Sequence, residues 1–147
     1  MNQVALITGG TRGIGKEIAI TLAKEGYNIA LNYRSENEEL SKLKQEIEAN
    51  NVKCLTVKGD ISSFEDCEQF VKQTIQEFGK IDILVNNAAV QYECKDFKQI
   101  SDSQFDKTMK TNIYGTFYMS REALKYMKSG ECIINKSSVT DMQVMKS

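Results

Sequence analysis

The 147 residues contain no histidine and no proline. Without histidine there is no Ser-His or Cys-His nucleophile. The four cysteines, Cys54, Cys67, Cys94 and Cys132, have no C-x-x-C spacing, which with the lack of histidine argues against a structural zinc site. Scattered thiols fit a reduced, cytoplasmic protein. No apolar run approaches the roughly 20 residues of a membrane span, and the opening "MNQVALITGG" has neither the basic region nor the apolar run of a secretion signal. The net charge of −1 gives no footprint for nucleic acid or an anionic membrane. A small-molecule partner is the expectation that remains.

What is present alternates. "VALIT" (4–8), "NIALNY" (28–33), "KCLTVKGD" (53–60), "IDILVNNA" (81–88) and "ECIINKS" (131–137) are short β-type runs. Between them lie amphipathic stretches: "GKEIAITLAKEG" (15–26), residues 37–50 with Leu40, Leu43 and Ile47 on one face, and residues 63–79. Ser62 or Ser63 is a candidate N-cap for the last of these, and Gly79 its stop. A further helix is expected from about Ser101 to Lys128, with Phe105, Met109, Ile113 and Phe117 spaced four apart. Strict β/α alternation implies a parallel sheet with right-handed crossovers. No repeat, linker or low-complexity tract interrupts it, so residues 1–147 are expected to form one domain.

"TGGTRGIG" (8–15) sits between the first strand and the first helix. In a doubly wound fold that turn brings a pyrophosphate onto a helix N-terminus, where a Cβ would hold backbone N–H groups away from the phosphate. Its spacing is G-x-x-x-G-x-G, and a tight turn alone would also explain such a cluster. At the end of the second strand, where an acidic residue would accept from a ribose 2′-OH and repel a 2′-phosphate, stands Tyr33, followed by Arg34 and Ser35. Arg12 approaches from the glycine loop. Either arginine alone reads as a surface residue; as a pair they favour NADP(H) over NAD(H).

The glycine loop resembles the T-G-x-x-x-G-I-G motif of classical short-chain dehydrogenases/reductases, and further matches follow in order along the chain. The resemblance implies a Rossmann-type doubly wound parallel sheet in three layers. It implies cofactor contacts from Gly9, Thr11, Arg12, Gly13, Ile14, Gly15, Tyr33, Arg34 and Ser35. Asp60, with Ile61 beside it, is similar to the aspartate that binds the adenine amino group, though a strand cap is the plainer alternative. Asn86, Asn87 and Ala88 resemble the N-N-A-G segment that flanks the cofactor, and are also ordinary turn residues. Asn112 matches the catalytic-site asparagine that holds a relay water; an isolated mid-helix asparagine would otherwise be a solvated position. Gly115 one turn later costs about 1 kcal/mol relative to alanine. Ser138, directly before Val139, matches the catalytic serine, with Ser137 the alternative.

Two positions depart from that pattern: Ala89 replaces the usual glycine, and Asp141 stands where glycine is common. The family's acid/base pair is Y-x-x-x-K on one helix face. None of the six tyrosines has lysine four positions on, and family spacing puts the pair just past Ser147. The resemblance therefore implies a sheet cut after its fifth strand and a chain inactive by itself. The complete protein would be an NADPH-dependent carbonyl reductase, closest in motif to 3-oxoacyl-[acyl-carrier-protein] reductases. Its substrate would be a small or acyl-carrier-bound carbonyl. It would be a homodimer or homotetramer through the long helix, where Gly115 and Ser120 would permit close approach. The competing expectation is a non-catalytic nucleotide-binding or interaction module working at this length.

Overall fold

A computed structural model describes residues 2–88 and 97–135. Five strands, β1 (Val4–Thr8), β2 (Asn28–Tyr33), β3 (Cys54–Lys58), β4 (Ile83–Asn86) and β5 (Cys132–Asn135), form one parallel sheet in the order β3-β2-β1-β4-β5. All five residues of β1 are buried, as expected for a central strand covered on both faces. Its alternation splits the core in two. Ala5 and Ile7 join Ile29, Leu31 and Val85 on one face. Val4 and Leu6 join Ala30 and Leu84 on the other.

Helices α1 (Gly13–Lys24) and α2 (Glu38–Glu48) cover the first face through Ala19, Ile20, Ala23, Leu43 and Ile47. Helix α3 (Phe64–Phe78) and helix α5 (Gly115–Leu124) cover the second through Phe70, Val71, Met119 and Ala123. The chain winds outward from β1 to β3, then returns across the sheet through α3 to β4 on the other side of β1. The direction of winding reverses between β1 and β4, and ligand crevices of open α/β sheets lie at the strands' carboxyl ends at that point.

Local signals account for most boundaries. Asn37 Oδ1 accepts the Leu40 N–H to start α2, and Ser63 Oγ accepts the Asp66 N–H to start α3. Gly79 closes α3 at φ 80°, and Gly26 turns the chain after α1 at φ 93°. The expected helix over 101–128 differs. A capping box of Ser101 and Gln104 starts α4 (Asp102–Met109), a π-helical turn occupies Lys110–Tyr114, and α5 follows directly. Asn112 lies inside the π turn.

The π turn also decides which way residues face. Phe105, Ile113 and Phe117 are each more than half exposed and point away from the chain's own sheet, whereas Met109 of the same expected stripe is half-buried. Gly115 and Ser120, expected on that outward stripe, instead face inward. Gly115 packs on Ile61, and Ser120 accepts from the Asn86 amide at 3.1 Å. A methyl on Gly115 would stand 2.8 Å from both the Ile61 carbonyl oxygen and its Cδ1. Alanine's helix preference is worth about 1 kcal/mol, whereas overpacking against backbone costs about 1–3 kcal/mol. Gly115→Ala is therefore expected to lower the urea unfolding midpoint. A midpoint unchanged or raised would show that the Ile61 turn yields.

Candidate cofactor site

At the switch point, Thr8 ends β1 with its hydroxyl among backbone groups of β4. Thr8 Oγ1 accepts the N–H groups of Asn87 and Ala88, both at 3.0 Å, and is 3.5 Å from the Val85 carbonyl. Gly9 follows in the left-handed region at φ 64°. Its N–H donates to Asn32 Oδ1 at 2.9 Å, and its carbonyl accepts from Asn87 Nδ2 at 3.0 Å. Asn32 Nδ2 donates onward to the Gly59 carbonyl at 3.2 Å. The turns after β1, β3 and β4 are thus held together by two buried asparagines and one threonine.

The glycines divide by task. A Cβ on Gly9 would lie 2.8 Å from Ala88 Cα, and one on Gly15 would collide with the Asn87 amide. Gly10 is a packing glycine, since a Cβ there would strike the Leu31 side chain. Gly13, at φ 60°, has nothing within 4 Å of its Cβ direction. Helices α2, α3 and α4 are capped by Asn37, Ser63 and Ser101, but α1 has no side-chain cap and no acid in its first turn. No side chain among the described residues caps its first N–H groups, and the Gly13 side is open, which suits a phosphate. Among the described residues, the buried Oδ1 atoms of Asn86 and Asn87 also lack a hydrogen-bond partner. A dinucleotide's polar groups fit this edge.

Thr11 is half-buried, while Arg12 and Ile14 beside it are exposed. Across from them, Tyr33 is half-buried and Arg34 and Ser35 are exposed. No acidic side chain ends β2. Arg34 Nη2 lies 3.6 Å from Asp60 Oδ2. Lys107 Nζ donates to the same oxygen at 2.8 Å and to Ser62 Oγ at 3.1 Å. Asp60 Oδ1 accepts from Ser62 N and Oγ at 2.9 and 2.8 Å. Ile61 is buried, with its side chain and its carbonyl against Gly115, and that carbonyl accepts from Cys67 Sγ at 3.2 Å.

Asn86 donates to Ser120 Oγ at 3.1 Å and to Asn135 Oδ1 at 2.8 Å, joining β4 to α5 and β5. Asn112 sits in the π turn, where its carbonyl accepts from Thr116 Oγ1 at 3.1 Å. Ser137, Ser138, Ala89 and Asp141 lie outside the described residues. The structure therefore brings together the glycine loop, Arg34, Asp60 and Asn87. It adds Gly10, Asn32 and Lys107, which the sequence reading missed. A polar residue inside the apolar run "NIALNY" was the available signal for Asn32, because a buried amide demands partners. Nothing local marked Lys107, 47 positions from Asp60.

Burial alone would raise the Asp60 carboxyl. Hydrogen bonds from Lys107 and Ser62 and the Lys107 charge outweigh it, bringing the group from 3.8 down to about 2. A carboxyl more acidic folded than unfolded stabilises the fold when ionised. That contribution is complete above the unfolded value of 3.8 and is lost as pH falls through about 2. In Lys107→Met, a carboxyl-detected NMR titration should show the Asp60 midpoint moved upward. An unmoved midpoint would show that Lys107 does not hold the carboxylate.

Comparison with known proteins agrees with the geometry. The family description "short chain dehydrogenase" matches residues 3–146. General stress protein 39 of Bacillus subtilis is 43% identical over 137 residues, covering 93% of this chain and 48% of that protein. NADPH-dependent aldehyde reductase 1, chloroplastic, of Arabidopsis thaliana is 37% identical over 143 residues, covering 93% and 50%. The 3-oxoacyl-[acyl-carrier-protein] reductase FabG of Staphylococcus epidermidis is 33% identical over 144 residues, covering 95% and 57%. A short chain dehydrogenase from Burkholderia cenocepacia J2315, solved in complex with NADP, superposes with a TM-score of 0.90 at 28% identity, over 99% of this chain and 59% of that one. The chain spans about half the length of the curated relatives it matches. With its parallel sheet, its winding reversal and a family match along nearly its whole length, the chain belongs to the short-chain dehydrogenase family.

Proposed function

We propose that this segment is the NADP(H)-binding part of a carbonyl reductase. The observation that carries the reading is the uncapped, glycine-built N-terminus of α1 beside a β2 end that bears Arg34 and no acid. The NADP complex of the Burkholderia relative and the name of the Arabidopsis reductase support it. When bound, the cofactor supplies a hydride to the carbonyl carbon. The N–H groups of the Gly9–Gly15 loop hold the pyrophosphate, with Thr11 and Ile14 lining it. Arg12, Arg34 and the Ser35 hydroxyl take the 2′-phosphate, and Tyr33 stands beside the ribose without repelling it. Asp60 and the Ile61 backbone serve the adenine, and Asn86, Asn87 and Ala88 flank the nicotinamide side.

Ser138 orients the substrate oxygen, with Ser137 its neighbour, and Asn112 orients a relay water from the π turn. The family's Tyr-x-x-x-Lys pair, in the whole protein, supplies the proton. The substrate reading is a 3-oxoacyl-thioester-like carbonyl, with aldehydes as the second class because the aldehyde reductase relative has the higher identity, 37% against 33%. The exposed stripe of Phe105, Ile113 and Phe117 supports a homodimer or homotetramer. Free Cys54, Cys67 and Cys132 fit a reducing, cytoplasmic setting.

In the whole protein, calorimetry should show NADPH bound more tightly than NADH. Arg34→Asp should erode that preference by about 10–100-fold, the range of charge-assisted hydrogen bonds. Equal affinities in the unaltered protein would contradict the cofactor assignment. Turnover should be lost in Ser138→Ala with cofactor binding kept, and little changed in Ser137→Ala. Retained turnover in Ser138→Ala would remove Ser138 from the chemistry, and binding without turnover of either carbonyl class would favour the non-catalytic module.

A further inference from the structure

Asp60 carries two cations of unequal hold. Lys107 touches Oδ2 at 2.8 Å with its side chain 28% exposed, and its ammonium is anchored a second time on Ser62 Oγ. Arg34 stands 3.6 Å away, beyond hydrogen-bond distance, with its side chain 63% exposed. The other oxygen, Oδ1, is filled by Ser62. A second carboxylate is close by, since Asp66 Oδ2 accepts the Asp60 N–H at 2.8 Å from the first turn of α3. Asp60 Oδ2 therefore has two cations, one fixed and one loose, with the Asp66 carboxylate bound to the Asp60 backbone.

We infer that Lys107 is a positioning residue for cofactor choice: by keeping Asp60 paired, it lets Arg34 leave Asp60 for the 2′-phosphate. The inference rests on the NADP(H) reading above. Without Lys107, Arg34 is, among the described residues, the cation left beside the Asp60 carboxylate, and its move to a phosphate leaves Asp60 uncompensated. The cost falls only on a ligand that draws Arg34 away, hence on NADPH and not on NADH. Helix α4 buries none of its residues, so the Lys107 contact also tethers the helix leading into the π turn to the β3 end of the sheet.

The test measures NADPH and NADH dissociation constants in the whole protein and in Lys107→Met, Lys107→Arg, Asp60→Asn and the Lys107→Met/Asp60→Asn pair. Lys107→Met should lose about tenfold of the NADPH-over-NADH ratio, as expected for one charge-assisted partner. Lys107→Arg should keep the ratio, and the double variant should regain it because Arg34 no longer has a carboxylate at position 60 to neutralise. A Lys107→Met variant that weakens both cofactors equally, or neither, overturns the inference, as does a double variant that stays low. Should Lys107→Met fail to fold, Asp60→Asn alone decides: a ratio held or raised supports the inference and a fall overturns it. An unaltered protein with no preference overturns the cofactor reading itself, and is seen before any variant is made.

Discussion

The carboxyl edge of the sheet depends on the fixing of Gly9 in a left-handed turn. Gly9 has one N–H and one carbonyl, and each is held by a buried asparagine from a different strand: Asn32 of β2 and Asn87 just after β4. Thr8 draws the start of the β4 turn toward the same point through two backbone N–H groups. A buried donor or acceptor without a partner costs about 1–3 kcal/mol. The loop therefore has one satisfied arrangement and several costly ones. That arrangement leaves Gly13 facing open space and the first turn of α1 uncapped.

Charge at this edge follows the same economy of partners. Asp60 is a half-buried acid whose charge would lack a partner if left alone. Ser62 and Lys107 hold it ionised, and Arg34 stands close enough to sense it without being locked. The link from Lys107 to Asp60 joins α4 to the turn after β3, so the helix leading into the π turn of Asn112 is registered to the carboxyl edge of the sheet by an ion pair. Asn86 provides the corresponding link on the far side, joining β4 to Ser120 and Asn135.

The layered architecture was legible because strand and helix periods differ, and Ser63, Gly26 and Gly79 are local signals with local effects. The helix over 101–128 was legible only as a helix. Periodicity groups Phe105, Ile113 and Phe117 on one face but does not say what that face meets, and it carries no mark of the π turn. Gly115 and Ser120 read as surface notches for a neighbour, yet Gly115 accommodates the Ile61 carbonyl and Ser120 serves Asn86. Spacing identified the glycine loop but treated Gly10 as one glycine among several, whereas it yields to the Leu31 side chain. Pairings such as Lys107 with Asp60 join residues far apart in the chain, and one sequence offers no trace of them.

The claim that two asparagines impose the loop's shape is tested most directly at Asn32. Leucine has nearly the same size there but leaves the Gly9 N–H and the Gly59 carbonyl unpaired. In the whole protein, Asn32→Leu should bind NADPH and NADH more weakly by a common factor of about ten or more while remaining folded, since the pyrophosphate is shared by both cofactors and each lost partner costs about 1–3 kcal/mol. If both affinities are unchanged in a folded Asn32→Leu protein, the loop holds its shape without Asn32, and the constraint lies elsewhere.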